Sequence, residues 1–359
     1  MICPPLNNAI IFHLSPRQGI NDMEKRLKAI LVDGMEGGRP MPALEEREEL
    51  ARVNAGLVVA GCVSEDDIIA AAQDSDAILT IGAPMTRHVM ENLPRCRVIV
   101  RYGIGYDTVD VDAAIDNNIL LVNIPDFCFE EVSNHAIALL LACAKKMVHL
   151  NNLVKEGRWR EAKQAQSPMG PVYGQICGII GCGNIGRATA KKAQCFGLKV
   201  LGYDPYIDKP LAEENGITLV GLPELLQKAD YVLVHTALTR ETHHLISEEQ
   251  FRMMKPGGYF INTARGAVVD ELALIRALQE RRIAGAGLDV FEKEPVDPGN
   301  PLLKMDNVIV LPHSASYSDA AFKRLRQSVG REAARVLSGK WPKNVVNKTC
   351  RPKVELTPE

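Results

Sequence analysis

A chain of 359 residues with 46% hydrophobic and 24% charged residues is long enough for two buried cores and has the composition of an ordinary globular protein. Its 42 Lys and Arg against 44 Asp and Glu leave a formal net charge of −2 without long runs of one sign, which argues against nucleic acid or an anionic membrane as the main partner. Nine cysteines scattered through apolar segments without a Cys-x-x-Cys pair, no apolar run of about 18 residues and no signal-peptide pattern exclude a disulfide framework and a membrane span, and point to a reducing cytoplasm.

Residues 1–22 carry no regular pattern and read as an N-terminal extension. From Lys28 onward, short β-rich runs alternate with helical patterns. Ala29–Val32, Leu57–Val63, Ala77–Ile81, Arg97–Arg101 and Leu120–Val122 read as strands, with Glu45–Ala55, Glu65–Gln73, His88–Asn92 and Val111–Asn117 as helices between them. This alternation predicts an α/β unit with a parallel sheet. Pro125 breaks the pattern, and Glu130–Glu156 then reads as one long helix. A second series starts at Gln175, with strands at Val200–Tyr203, Tyr231–His235, Tyr259–Thr263, Ala284–Leu288 and Val308–Leu311. After Pro312 come one helix, Asp319–Leu337, and a tail. A lone helix makes a poor core, so it is expected to return to the first domain and make that domain discontinuous. The expected domains are thus 23–124 with 317–348, and 125–316, with 349–359 as a C-terminal tail. The fold class is α/β, with two Rossmann-like, doubly wound parallel-sheet domains.

The most informative segment is Gly181-Cys-Gly-Asn-Ile-Gly186, preceded by the apolar run Gln175–Ile180 and followed, eighteen residues after Gly186, by Asp204. Each part has a physical task at a dinucleotide site: Gly181 turns the strand, Gly183 lets a pyrophosphate approach the backbone, and Gly186 lets the new helix pack closely. The pyrophosphate would rest on the N–H groups opening that helix, including those near Asn184 and Ile185. Asp204, ending the next strand, would accept from a ribose diol and repel a 2′-phosphate, so NAD (NADH) is favoured over NADP. The second domain is therefore the cofactor domain.

In an open α/β sheet, ligands bind beyond the carboxyl ends of the strands. Polar residues stand at three successive strand ends: Arg265 in Asn-Thr-Ala-Arg-Gly, Asp289 and Glu294 in Leu-Asp-Val-Phe-Glu-Lys-Glu-Pro, and His313 in Leu-Pro-His-Ser. The set suits hydride transfer to a 2-oxo acid. A guanidinium grips a carboxylate with parallel N–H bonds and polarises the adjacent carbonyl, a role for Arg265. An imidazole exchanges a proton with the developing alkoxide near neutral pH, a role for His313, and a carboxylate such as Glu294 orients it and favours its protonated form.

With these residues in place the chain resembles the D-isomer-specific 2-hydroxyacid dehydrogenase family, from about Leu27 to Asn347. The resemblance implies a catalytic set of Arg265, Glu294 and His313, a nicotinamide-facing Asp289 and cofactor contacts that include Thr263 and Ala264. It also implies a discontinuous substrate domain, and a homodimer formed through the long helix and an arm like Gly157-Arg-Trp-Arg. Arg101-Tyr-Gly-Ile-Gly-Tyr-Asp resembles the family's substrate loop, in which the N–H groups of Ile104 and Gly105 bind the substrate carboxylate, with Arg101 also substrate-facing. Tyr317-Ser-Asp-Ala-Ala and Lys343-Asn-Val-Val-Asn-Lys are most similar to the C-terminal-binding-protein-like branch of corepressors and their enzyme relatives. Those corepressors carry a Trp where this chain has Ser316, which implies a larger or more polar pocket here.

The expected activity is NAD(H)-dependent interconversion of a small 2-oxo acid and its 2-hydroxy acid, by a cytoplasmic homodimer. Glyoxylate, hydroxypyruvate, pyruvate and larger oxoacids all remain open, as does direction. The alternative is an NAD(H)-sensing, corepressor-like protein-interaction module with weak or no turnover. No metal motif is expected: there is no His-Glu-x-x-His and no Cys/His ligand spacing, and His243-His244, if helical, would point apart. His135, at the start of the long helix, is expected to bond across the domain junction and not to catalyse.

Overall fold

The computed structural model describes residues 26–358; the extension expected at 1–22 lies outside the described residues. The chain forms two compact units, one from the chain up to Phe127 together with the segment from Asp319 onward, the other Cys128–Ser318.

The first unit holds a five-stranded parallel sheet in the order Ala55–Val59, Leu27–Leu31, Ala77–Thr80, Val98–Arg101, Leu120–Val122. By chain position this is 2-1-3-4-5, one of the two common doubly wound orders. Its central strands are buried on both faces, so they read as unbroken aliphatic runs: Ala77, Ile78, Leu79, Val98, Ile99 and Val100 have no exposed surface. Short helices return the chain between strands, and their starts are written locally. Ser64 and Asp67 form a capping box before Glu65–Ala72, and the Asp110 carboxylate accepts from Ala113 N–H before Val111–Asp116. The helix Asp319–Leu337 lies against Leu44–Ala51 at Gly330, where an added Cβ would stand 2.8 Å from Glu46 Cα, and Arg331 reaches Glu49 at 3.3 Å. The C-terminal chain then bonds to the sheet edge, Val346 N–H donating to Leu121 and Asn347 Oδ1 accepting from Leu121 N–H.

The second unit holds seven parallel strands ordered Thr218–Leu219, Lys199–Tyr203, Ile176–Ile180, Tyr231–Val234, Tyr259–Asn262, Gly285–Leu288, Val308–Val310. In chain order this is 3-2-1-4-5-6-7, a Rossmann sheet with one added strand. Order reverses between Ile176–Ile180 and Tyr231–Val234, which places the switch point at the Gly-rich turn. One core layer includes Phe251 and Phe260, both fully buried and packed edge to face with centroids 5.3 Å apart. Phe260→Ala would cost about 3–5 kcal/mol at such a site.

One expected element is not continuous. Instead of a single helix over 130–156, the chain forms Phe129–Ala144 and Met147–Lys155, bent by 61°. Lys146 sits between them with φ 50, and its Nζ donates to the Ala165 carbonyl at 2.9 Å. The left-handed residue stops the first hydrogen-bond ladder, and a tertiary contact holds the break. No single helix among the described residues is long and apolar enough to cross a membrane. Of the eight described cysteines, seven are buried or partly buried.

Candidate active site

The Gly-rich turn follows Ile176–Ile180 and opens the helix Asn184–Cys195. Gly181 has φ 90, and a Cβ there would meet the His235 backbone at 2.7 Å, so the position requires glycine twice over. A Cβ on Gly186 would overlap the Gly181 carbonyl, which is the close helix–strand approach read from the sequence. At Gly183 an added Cβ meets nothing within 4 Å: the space in front of that residue is left to something other than this unit's own atoms. The helix ends at Gly197, φ 75, as a C′ residue should.

Asp204 is partly buried behind this turn. Oδ2 accepts from Cys182 N–H at 2.8 Å and Oδ1 from Tyr206 N–H at 2.9 Å. A carboxylate has about four lone-pair sites, so two remain for ribose hydroxyls. Further along the carboxyl edge, Thr263 Oγ1 and His235 Nε2 are buried and without hydrogen-bond partners. Burial pushes His235 down to about 4, which keeps the ring neutral at pH 7. Open space at Gly183, spare acceptor capacity at Asp204 and two orphaned polar atoms fit a dinucleotide: Gly181, Gly183, Asn184, Ile185 and Gly186 would hold the pyrophosphate and Asp204 the adenosine ribose.

The polar triad comes from the three strands at one end of the same sheet. Arg265 follows Tyr259–Asn262. Asn262 fixes its backbone by donating from Nδ2 to the Arg265 carbonyl at 2.9 Å while Oδ1 accepts from Ala264 N–H at 3.0 Å, and Arg265 Nη1 donates to the Ala264 carbonyl at 2.8 Å. Glu294 and His313 lie beyond the next two strands and meet: His313 Nδ1 and Glu294 Oε2 are 2.7 Å apart. Glu294 Oε1 accepts from Phe291 N–H at 2.9 Å. Burial alone would push the Glu294 carboxyl up, but the bonds from His313 and Phe291 and the nearby Arg265 charge outweigh it and hold it below the usual carboxylate range. His313 is 45% exposed, so with Nδ1 engaged by Glu294 its Nε2 edge is available to a reactant.

Asp289, expected to face the nicotinamide, is fully buried. Its Oδ1 accepts from Ser314 N–H at 2.9 Å and Oδ2 from Ala315 N–H at 2.7 Å, and its own carbonyl accepts from His313 N–H at 2.8 Å. It therefore anchors the loop that carries His313. Burial pushes its carboxyl up, yet the adjacent His135 imidazole and the two N–H donors bring it below the ordinary value. His135 Nε2 is 3.4 Å from Asp289 Oδ1, within one unit; the expected role for His135 across a domain junction gives way to this one. His243 and His244 also differ from expectation. They lie in a turn, not a helix, and their rings stack with centroids 4.0 Å apart.

In the first unit, Arg101 ends Val98–Arg101, and its Nη1 donates to the Tyr102 carbonyl. Gly103 has φ 109. The Ile104 carbonyl accepts from Asn123 Nδ2 at 2.7 Å, but among the described residues the N–H groups of Ile104 and Gly105 find no intramolecular acceptor. Two adjacent unpaired donors are what an anion requires. The sequence reading passed over Asp33, at the carboxyl end of Leu27–Leu31. Its carboxylate accepts from the N–H groups of Ile81 (2.9 Å), Gly82 (2.6 Å) and Ala83 (2.7 Å), tying down the loop at this sheet's own switch point. Its place after the first strand, in Leu-Val-Asp-Gly, is the signal that could have found it.

Residues 137–315 match the family model "D-isomer specific 2-hydroxyacid dehydrogenase, NAD binding domain". Glyoxylate reductase of Korarchaeum cryptofilum (strain OPF8) is 41% identical over 286 residues, spanning 79% of this chain and 86% of that protein. Among solved structures, a glyoxylate reductase from Paecilomyes thermophila superposes with a TM-score of 0.81 at 26% identity, covering 91% of this chain and 99% of that one. D-Lactate dehydrogenase from Aquifex aeolicus, complexed with NAD and lactic acid, gives 0.77 at 29% identity, covering 89% and 99%. An NAD(H) site on a Rossmann sheet, with Arg, Glu and His on its last three strand ends, thus has its explanation: the chain belongs to the D-isomer specific 2-hydroxyacid dehydrogenase family, NAD-dependent oxidoreductases that act on the CH–OH group.

Proposed function

We propose that this protein interconverts a small 2-oxo acid and the corresponding D-2-hydroxy acid, with short substrates of the glyoxylate, hydroxypyruvate and pyruvate type as the first class to test. The observation that carries the reading is the 2.7 Å His313–Glu294 bond on the strand end neighbouring Arg265. NAD(H), when bound, would supply or accept the hydride at C2 of the substrate. Arg265 binds the carboxylate and polarises the adjacent carbonyl. During reduction His313 donates from Nε2 to the developing alkoxide, and in the reverse direction it takes the hydroxyl proton there. Glu294 holds the ring by Nδ1 at 2.7 Å and so orients Nε2 toward the reactant. The unpaired N–H groups of Ile104 and Gly105 donate to the substrate carboxylate, with Arg101 beside them in the chain supplying positive charge. Thr263, Ala264 and Asp289 serve the cofactor side, Asp289 through its hold on the His313 loop.

The working form is a cytoplasmic homodimer. The dimer is supported by two large apolar side chains exposed on the second unit, Trp159 at 63% and Met147 at 57%. Sedimentation of wild type against Trp159→Lys tests it, with a shift toward monomer expected.

The decisive experiment follows NADH absorbance against a panel of 2-oxo acids, with His313→Ala in parallel. Turnover of one acid that collapses in the variant supports the assignment and names the substrate. Tight NADH binding with no acid reduced would overturn it in favour of a corepressor-like NAD(H) sensor.

A further inference from the structure

We propose that His243, His244 and Glu292 form a binding site for a divalent transition ion of the zinc type, separate from the hydride chemistry. The two histidines sit at the end of a turn fixed by its own side chains: Thr239 N–H donates to Thr242 Oγ1 at 2.7 Å, Thr242 N–H returns a bond to Thr239 Oγ1 at 3.2 Å, and Thr242 Oγ1 donates to the Ala237 carbonyl at 2.6 Å. Backbone bonds then hold both histidines, His243 N–H to the Thr239 carbonyl at 3.0 Å and His244 N–H to the Ala267 carbonyl at 2.9 Å. His244 has φ 51, which reverses the chain there, and the neighbouring rings stack at 26°.

The third group is oriented independently. Glu292 Oε1 lies 2.8 Å from His244 Nε2, while Oε2 accepts from Glu271 N–H at 3.2 Å and Glu292 N–H donates to Glu271 Oε2 at 3.0 Å. A carboxylate steadied through one oxygen and presenting the other is how metal ligands are commonly held. One potential ligand atom from each of the three residues falls within 4.8 Å of the others. A tetrahedral ion with bonds of about 2.0–2.2 Å sets its ligand atoms about 3.4 Å apart. The shortest pair, His244 with Glu292 at 2.8 Å, is already closer than that, and binding requires the two stacked imidazoles to turn so that their in-plane lone pairs converge on the ion. Two imidazoles and one carboxylate suit Zn²⁺, Ni²⁺ or Cu²⁺ and not Ca²⁺ or Mg²⁺, and three protein ligands leave one position for water.

The test uses the full chain and Zn²⁺ in isothermal titration calorimetry, with Co²⁺ as a spectroscopic probe. One ion per chain is expected, with a cobalt spectrum lacking the intense near-ultraviolet band of thiolate ligation. His243→Ala and Glu292→Gln should each weaken binding at least about tenfold. Saturating zinc should raise the unfolding temperature of wild type and of neither variant. NADH binding without zinc should be unchanged in both. Wild-type zinc affinity and stoichiometry in His243→Ala would overturn the proposal, as would loss of binding in His313→Ala alone or a thiolate band with cobalt.

Discussion

His313 bonds Glu294 at 2.7 Å from a backbone that stands at φ 54, in the left-handed region. A non-glycine residue held there costs on the order of 1 kcal/mol, and the surrounding contacts must over-determine it. Asp289 does so, with its carbonyl on His313 N–H and its carboxylate on Ser314 and Ala315.

The His313–Glu294 pair should therefore act as a unit. His313→Ala is expected to lower kcat by about 10²–10⁴, the usual contribution of a positioned acid–base group, while the NADH dissociation constant stays near wild type. Glu294→Gln keeps an acceptor for His313 but loses the charge, so its kcat should fall between the two. Steady-state kinetics with fluorescence titration of NADH separate these effects.

Asp289 predicts a stability difference. Asp289→Asn retains one acceptor oxygen and loses the charge-assisted bonds, so urea unfolding at neutral pH should show a loss of about 2 kcal/mol.

The pH dependence follows from direction. Asp289 and Glu294 both titrate below their ordinary values when folded, so their contribution is fully present above the unfolded-state range. It is lost as pH falls through and below about 4. Wild type should lose stability over that acid interval, with a shallower slope in Asp289→Asn; equal slopes would show that the aspartate does not carry the linkage.

Two glycines separate fold from cofactor binding. Gly186→Ala forces a Cβ into the Gly181 carbonyl and should destabilise by about 1–3 kcal/mol. Gly183→Ala meets no protein atom within 4 Å, so its unfolding temperature should hold while NADH binding weakens. Thermal unfolding and NADH titration of both variants check the contrast.

Asp204 sets coenzyme choice. Wild type should bind NADH well ahead of NADPH, since a 2′-phosphate would face a carboxylate. Asp204→Ser should narrow that preference, through weaker NADH and stronger NADPH binding. The same substitution also removes the acceptor for Cys182 N–H, so unfolding temperature is measured alongside.

By itself the sequence determined what is local or periodic. Strand runs such as Ala77–Thr80, caps such as Ser64 and Asp110, and the Gly181–Gly186 turn follow from burial, hydrogen-bonding chemistry and the absence of a Cβ, all of which act within a few residues. The strand-end rule also picked out Arg265, Glu294 and His313, because an alternating β/α pattern fixes which end of each strand faces a ligand. Tertiary structure decided what depends on partners distant in the chain. The break at Lys146 is held by Ala165, the burial of Asp289 by Ser314 and Ala315, the loop at Ile81–Ala83 by Asp33, and His244 meets Glu292 about fifty residues away. A hydrogen-bond donor or an imidazole carries no local mark of its partner, since the free energy that selects the pairing arises only once folding has brought the two together.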